Sequence, residues 1–310
     1  MAIPPFEYTI KLMFGVVIIA FKRPELLTQI LKQLDERVSA IYVLVDHDPA
    51  NSENNLKCKE IALEASTRKT NVFSNFPITN LGPGKAVPYA ITWAFENENS
   101  LLVLEDDCIP SVDSFSFFER ILETHPTAAI ICGSSPFDFM GKASKMDRVT
   151  TSKYALISGW VVRKSTWIQL DIENVQKYSY RDVLKFGLKS PRNLVSLSYF
   201  YASIIRVRAN LAHAWDSFLC FSMIINDINS IIPNVTLISN LGLDTVASNT
   251  KSKENSESNI YQAASSQNVA QKFDSSWHME RKTNREIEDF IYRMKLRHLL
   301  SPLKSFLLSR

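Results

Sequence analysis

The sequence has little cysteine, and what it has is scattered. Cys58, Cys108, Cys132 and Cys220 include no pair at C-x-x-C spacing and fall into no Cys/His zinc pattern. Reduced thiols of a cytosolic protein are therefore expected, and Cys108, directly after an acidic cluster, is read as a packing residue rather than a redox one. Long hydrophobic runs are also missing. The longest near the start is Leu12–Phe21, about half of the ~20 apolar residues that a membrane-spanning helix needs. Lys22 and Arg23 follow it at once, and no small-residue cleavage site follows a longer apolar core. The run reads as a buried strand, neither a spanning helix nor a signal peptide, and a cytoplasmic location is expected. Neither sign of charge prevails: a net charge of +3 makes no case for nucleic acid as a partner. No internal repeat is found.

What is present suits a folded globular chain. Apolar residues make up 45% of the 310 positions, enough for a sizeable core, and charged residues at 22% exclude a mostly disordered chain. One large α/β domain, with or without a tail, fits this length.

Gly15-Val-Val-Ile-Ile-Ala-Phe21 is a β-branched run of the kind buried on both faces of a sheet. Pro24 then suits a helix N-terminus, and Leu26, Leu27, Ile30, Leu31 and Leu34 recur at helical spacing. A second strand over Ala40–Val45 ends in Asp46-His47-Asp48-Pro49. A polar-then-helical stretch (51–66) and a strand near 70–74 follow. Asn80-Leu-Gly-Pro-Gly-Lys85 is a glycine-rich loop leading into a helix over 86–95. The strand Leu101–Leu104 runs into Glu105-Asp106-Asp107, and a helix over Ser114–Thr124 and a strand over Ala128–Cys132 come next. This alternation predicts a doubly wound, mostly parallel sheet flanked by helices. In such sheets ligands sit outside the carboxyl ends of the strands. The acids at 46, 48 and 105–107 all fall at such ends. Tyr154–Val162 reads as a further strand carrying Gly159-Trp160, and Trp215-Asp216 opens another helix.

A Glu-Asp-Asp triplet at a strand end is either a solvated acidic turn or a site for a hard divalent cation, Mn²⁺ or Mg²⁺. The buried run before it favours the second reading, as does the Phe-rich helix after it, with Phe115, Phe117 and Phe118 able to pack under the sheet.

The stretch from Asn80 to Phe95, then Leu101-Leu-Val-Leu-Glu-Asp-Asp-Cys-Ile-Pro110, resembles GT-A-fold glycosyltransferases, of bacterial family-2-like and haemolytic-protein-like kinds, with N-acetylglucosaminyltransferase I as a more distant cousin. Phe21-Lys-Arg-Pro-Glu-Leu-Leu27, Ser158-Gly-Trp160 and Trp215-Asp216 fit the same pattern, so the resemblance covers roughly 14–250. It implies a GT-A domain over 12–250; composition adds a flexible polar loop or linker over 251–275 and a basic amphipathic helical segment over 276–310. It also implies a metal-dependent transfer of a sugar from a nucleotide-diphosphate donor, with UDP as the expected nucleotide, to a glycan or lipid-linked acceptor, with inversion, in bacterial surface-glycan synthesis.

The resemblance further implies roles. Arg23 lies beside the donor pyrophosphate or nucleotide, Asp46 meets the uracil or other base, and Lys85 faces the donor. Glu105 and Asp106 touch ribose and sugar, and Asp107 holds the metal. Gly159 and Trp160 form the acceptor side, and Asp216 is the catalytic base; its competing reading is a helix N-cap. His213 and His278 read as satisfied histidines, with His278 a weak candidate for completing a metal shell. The acceptor loops are expected at 133–153, 175–200 and 247–270. The segment 281–310 is either a packing helix or one lying on an anionic membrane surface. A sugar-phosphate nucleotidyltransferase is disfavoured because no glycine run follows the first strand. A non-catalytic nucleotide-sugar-binding module is the third alternative.

Overall fold

A computed structural model of the chain describes residues 14–36, 38–69, 71–136, 148–172, 215–241 and 278–279, together with 174, 181, 198, 201, 289–290 and 292–293. His213, the linker and most of the expected acceptor loops and C-terminal segment lie outside the described residues.

The six residues of β1 (Gly15–Ala20) are all buried, as a β-branched run with covered faces should be. Helix α1 (Pro24–Gln33) opens on its proline, whose fixed φ suits the first helical turn. Then come β2 (Ile41–Val45), α2 (Glu53–Arg68) and β3 (Val72–Asn75). Helix α3 (Pro83–Ala94) begins three residues before the predicted start, because Pro83 and the left-handed Gly82 nucleate it. After β4 (Ser100–Glu105) the chain makes β5 (Cys108–Pro110), α4 (Val112–Thr124), β6 (Ile130–Cys132), β7 (Arg148–Ser152), β8 (Trp160–Arg163) and α5 (Lys164–Leu170). Helix α6 (Trp215–Ile225) leads to β9 (Ser230–Pro233), β10 (Ile238–Asn240) and β11 (His278–Met279).

Among the described residues the main sheet has nine strands in the order β11-β7-β9-β6-β8-β4-β1-β2-β3. Strands β4, β1, β2 and β3 run parallel, while β8 lies antiparallel between β4 and β6. The fold is thus α/β, with a mixed, mostly parallel sheet flanked by helices. Strand β8 is shorter than the predicted 154–162, since only its end pairs. Within the segment 276–310 expected to be helical, His278–Met279 form β11, which pairs with β7, while 289–290 and 292–293 are helical. The sheet therefore draws an edge strand from beyond residue 250. Among the described residues no helix is long and apolar enough to cross a membrane.

Two apolar layers cover the sheet, divided by the period-two alternation of its strands. Val16, Ile18 and Ala20 of β1 face α1, α2 and α4, where Phe115, Phe117 and Phe118 are at most 1% exposed. Val17 and Ile19 face α3 and α6. From β1 the chain winds to β2 and β3 on one side, then returns to place β4 on the other. The crevice beyond the carboxyl ends of β1 and β4 is therefore the topological switch point.

Candidate active site

Everything at the switch point hangs on two strand ends. β1 ends at Phe21-Lys22-Arg23, and β4 ends at Glu105-Asp106-Asp107. The Phe21 N–H donates to Asp106 Oδ2 at 3.0 Å. Arg23 Nη1 donates to Asp106 Oδ1 at 2.7 Å and to Asp107 Oδ2 at 2.9 Å. Sequence separations of 83 to 85 residues are closed by these bonds. Burial lowers the Arg23 pKa, but the charges of Asp106 and Asp107 outweigh it and the guanidinium stays above its ordinary value. Asp106 is itself held up by burial, which outweighs its pairing with Arg23. The Cys108 thiol donates to Asp107 Oδ1 at 3.3 Å. Burial first, then Asp107 and Glu105, push that thiol well above its ordinary range, so it stays protonated and able to donate. All four cysteines are buried and free, as expected.

Glu105 is held differently. Burial first, then the charges of Asp107 and Asp106, push its pKa up to about 7; an N–H of Trp215 donates to it and opposes the shift, and Asp216 adds to it. Helix α6 thereby brings Trp215-Asp216 to the triplet. Its first residue, Trp215, is stacked on Trp160 at 5.6 Å and 21°, and Asp216 occupies its first turn. An acid there is favoured by the helix dipole.

The raised pKa has a consequence for stability. The folded protein holds a proton on Glu105 between its ordinary value of 4.5 and about 7, whereas the unfolded chain does not. Stability therefore falls as pH rises through that window. In the presence of a chelator, thermal unfolding measured from pH 4.5 to pH 7.5 should show this decline, and Glu105→Gln should flatten it. An unchanged slope in the variant would rule Glu105 out as its source.

Asp46 sits at the end of β2, 5% exposed. Its Oδ1 accepts from the N–H groups of His47 at 2.8 Å and Leu81 at 2.9 Å, and its Oδ2 from Gly82 N–H at 2.9 Å. The carboxylate is thus committed to holding the glycine-rich loop against β2, and Asn80 Nδ2 adds a bond to the His47 carbonyl at 2.6 Å. Lys85, exposed, stands in the first turn of α3 just beyond. Asp48 is bridged by Lys22 Nζ at 3.0 Å.

Two expectations are corrected. Trp160 is 0% exposed and Gly159 is buried, so neither presents a surface to an acceptor. Trp160 instead backs Trp215 from beneath, and Gly159 packs behind it against Ile238. His278, on the edge strand β11, lies five strand positions from β4, which at the usual strand spacing is ~24 Å across the sheet. It is too remote to complete a metal shell at Asp107.

Sequence reasoning missed Asn55. It is fully buried in α2, and its Nδ2 donates to the Phe21 carbonyl at 2.7 Å and the Asp46 carbonyl at 2.9 Å. One amide thus ties the carboxyl ends of β1 and β2 together. Its only sequence signal is a polar residue on the buried stripe of a helix. Also unforeseen is the ribbon of β5 with β10, which carries the Leu241 N–H to the Asp107 carbonyl at 2.9 Å.

Among the described residues, Glu105, Asp106, Asp107 and Asp216 outnumber the one cation bonded to the acid pair, Arg23. This surplus of hard oxygen donors suits a divalent cation. Among the described residues no three His, Cys, Asp or Glu side chains form a closed metal cage. A site that leaves positions for phosphate oxygens and water needs only one or two protein carboxylates, and that is the kind these residues fit.

No family model and no curated protein matches the chain. Among solved structures, it is similar to the mannosyltransferase PcManGT from Pyrobaculum calidifontis in complex with GDP-Man and Mn²⁺, at 10% identity and TM-score 0.39, over 69% of this chain and 70% of that one. It is also similar to residues 1–349 of TarS from S. aureus, at 15% identity and TM-score 0.38, over 61% of this chain and 56% of that one. The chain thus spans little more than half of the TarS structure. Likenesses this distant carry no argument about chemistry, which rests on the residues themselves.

Proposed function

We propose that this protein is a metal-dependent glycosyltransferase of the GT-A kind, moving a sugar from a nucleoside-diphosphate donor, UDP-linked in the simplest reading, to an acceptor hydroxyl with inversion. The observation that supports it most is the convergence at the switch point. An arginine from β1, three carboxylates from β4 and Asp216 from α6 meet where this fold class binds ligands.

In this reading Arg23 and Lys85 bind the donor diphosphate. Asp107 would hold Mn²⁺ or Mg²⁺, which when bound would neutralise charge on the leaving diphosphate, while Glu105 touches the ribose and sugar of the donor. Asp106 stays clamped between Phe21 and Arg23 and orients the sugar side of the donor. Asp46 serves the base by fixing the loop at 80–82. Asp216 takes the proton from the acceptor hydroxyl as that oxygen bonds to the anomeric carbon and the diphosphate departs. A single displacement of this type inverts the anomeric centre. The acceptor, glycan or lipid-linked, enters from the side of α6.

The test is release of nucleoside diphosphate from a panel of nucleotide sugars with Mn²⁺. Slow hydrolysis of one donor, lost to background with a chelator or in Asp107→Ala, is the expected result. Pyrophosphate release from a nucleoside triphosphate and a sugar phosphate would replace this reading with a nucleotidyltransferase. Tight donor binding without turnover would replace it with a binding module.

A further inference from the structure

We propose that Arg23 is an internal counter-ion that makes cation binding at Asp107 conditional on the nucleoside diphosphate. The proposal rests on reading the switch point as a donor site. A single nitrogen, Arg23 Nη1, serves two carboxylates, at 2.7 Å from Asp106 Oδ1 and 2.9 Å from Asp107 Oδ2. The remaining oxygens are also taken. Asp106 Oδ2 accepts from the Phe21 N–H at 3.0 Å, and Asp107 Oδ1 from the Cys108 thiol at 3.3 Å. Every oxygen of the acid pair therefore has a donor within the protein.

A divalent cation approaching Asp107 Oδ2 meets a guanidinium already in place. The two positive charges compete for one oxygen, and at this separation their repulsion is strong wherever water is scarce. Both carboxylates lie in such a place, since Asp106 is 5% and Asp107 8% exposed. Arg23 cannot simply swing away, because its side chain is only 24% exposed and would forfeit two charge-assisted bonds. A diphosphate resolves the conflict. Its oxygens can ligate the cation and also accept the planar guanidinium fork, so Arg23 gains new partners as it yields Asp107.

The experiment compares the full chain with Arg23→Gln. Mn²⁺ alone is titrated, with free ion followed by electron paramagnetic resonance, and the titration is repeated with uridine diphosphate. Arg23→Gln should bind Mn²⁺ alone about tenfold more tightly than the wild type, the loss of one charge-assisted competitor. Uridine diphosphate should raise Mn²⁺ affinity more in the wild type than in the variant. Equal or weaker binding of Mn²⁺ alone by the variant overturns the proposal, whether both proteins bind poorly or both bind well. As a second measure that tolerates a destabilised variant, Mn²⁺ should raise the unfolding temperature of Arg23→Gln more than that of Arg23→Lys, which keeps the charge. Equal shifts overturn it as well. Failure of the donor-site reading shows separately, as no uridine diphosphate binding by the wild type, because the comparison with Mn²⁺ alone does not use the nucleotide.

Discussion

Asp216→Asn is expected to lower turnover about 10²- to 10⁴-fold, the range lost with a positioned general base, while donor affinity stays nearly unchanged. The substitution is isosteric and keeps an acceptor at the helix end, so it separates chemistry from structure. Asp216 has a fixed platform. Trp215 is 3% exposed, stacked on the fully buried Trp160 and bonded to Glu105, so the first turn of α6 is held over the triplet. Asp216 is also near enough to raise the Glu105 pKa through its charge. Those facts support its place in the site, and the kinetic test decides its role. If Asp216 only stabilises the start of α6, the variant should lose about 0.3–1 kcal/mol of stability and little activity. Steady-state kinetics, donor calorimetry and urea unfolding on one preparation separate the two outcomes. Unchanged turnover would remove Asp216 from the mechanism.

Gly159→Ala is expected to destabilise the fold by about 2–5 kcal/mol, the sum of a left-handed backbone penalty and an overpacked contact. Gly159 has φ +72°, and a Cβ there would lie 2.3 Å from Ile238 Cδ1 and 2.7 Å from Ile238 Cγ2. The obstacle cannot easily retreat, since Ile238 pairs with Pro110 in the β5–β10 ribbon and its N–H reaches the Gly133 carbonyl at 3.2 Å. The Gly159 carbonyl in turn accepts from Gly133 N–H at 2.8 Å. Gly82→Ala is the control. Its φ is similarly positive at +67°, but the nearest atom to a new Cβ is Asn80 Oδ1 at 3.8 Å. It should cost only the backbone penalty, about 1–2 kcal/mol. Equal urea midpoints for the two variants would show that the Ile238 contact yields.

The parts of this protein that could be read from the chain are those written in local pattern. β1 and β2 are buried β-branched runs, β4 is a buried leucine-rich one, α4 is a Phe-rich amphipathic stretch, and the acids follow the strands directly. Placing those acids at the carboxyl ends of a doubly wound sheet required nothing more. What escaped depends on partners far along the chain. The insertion of β8 between β4 and β6, the β5–β10 ribbon and the Asn55 tie leave no periodic trace, because long-range pairing fixes them. Asp46 shows the same limit at one residue. An acid at a strand end looks available to a ligand until the backbone N–H groups of Leu81 and Gly82, 35 and 36 residues away, are found on its oxygens. Trp160 looked like a cleft wall because Gly-Trp resembled one, yet its ring is wholly enclosed by later elements.

The burial of every cysteine gives the protein a built-in clock for its own opening. Cys58 and Cys132 are pushed up to about 12 by burial, and burial raises Cys108 well above its ordinary value, so these three native thiols have almost no reactive thiolate. A disulfide reagent therefore modifies the chain only as fast as its parts come undone. Cys108 times the separation of β5 from β10 at the mouth of the site, and Cys58 times the detachment of α2 from the sheet behind it.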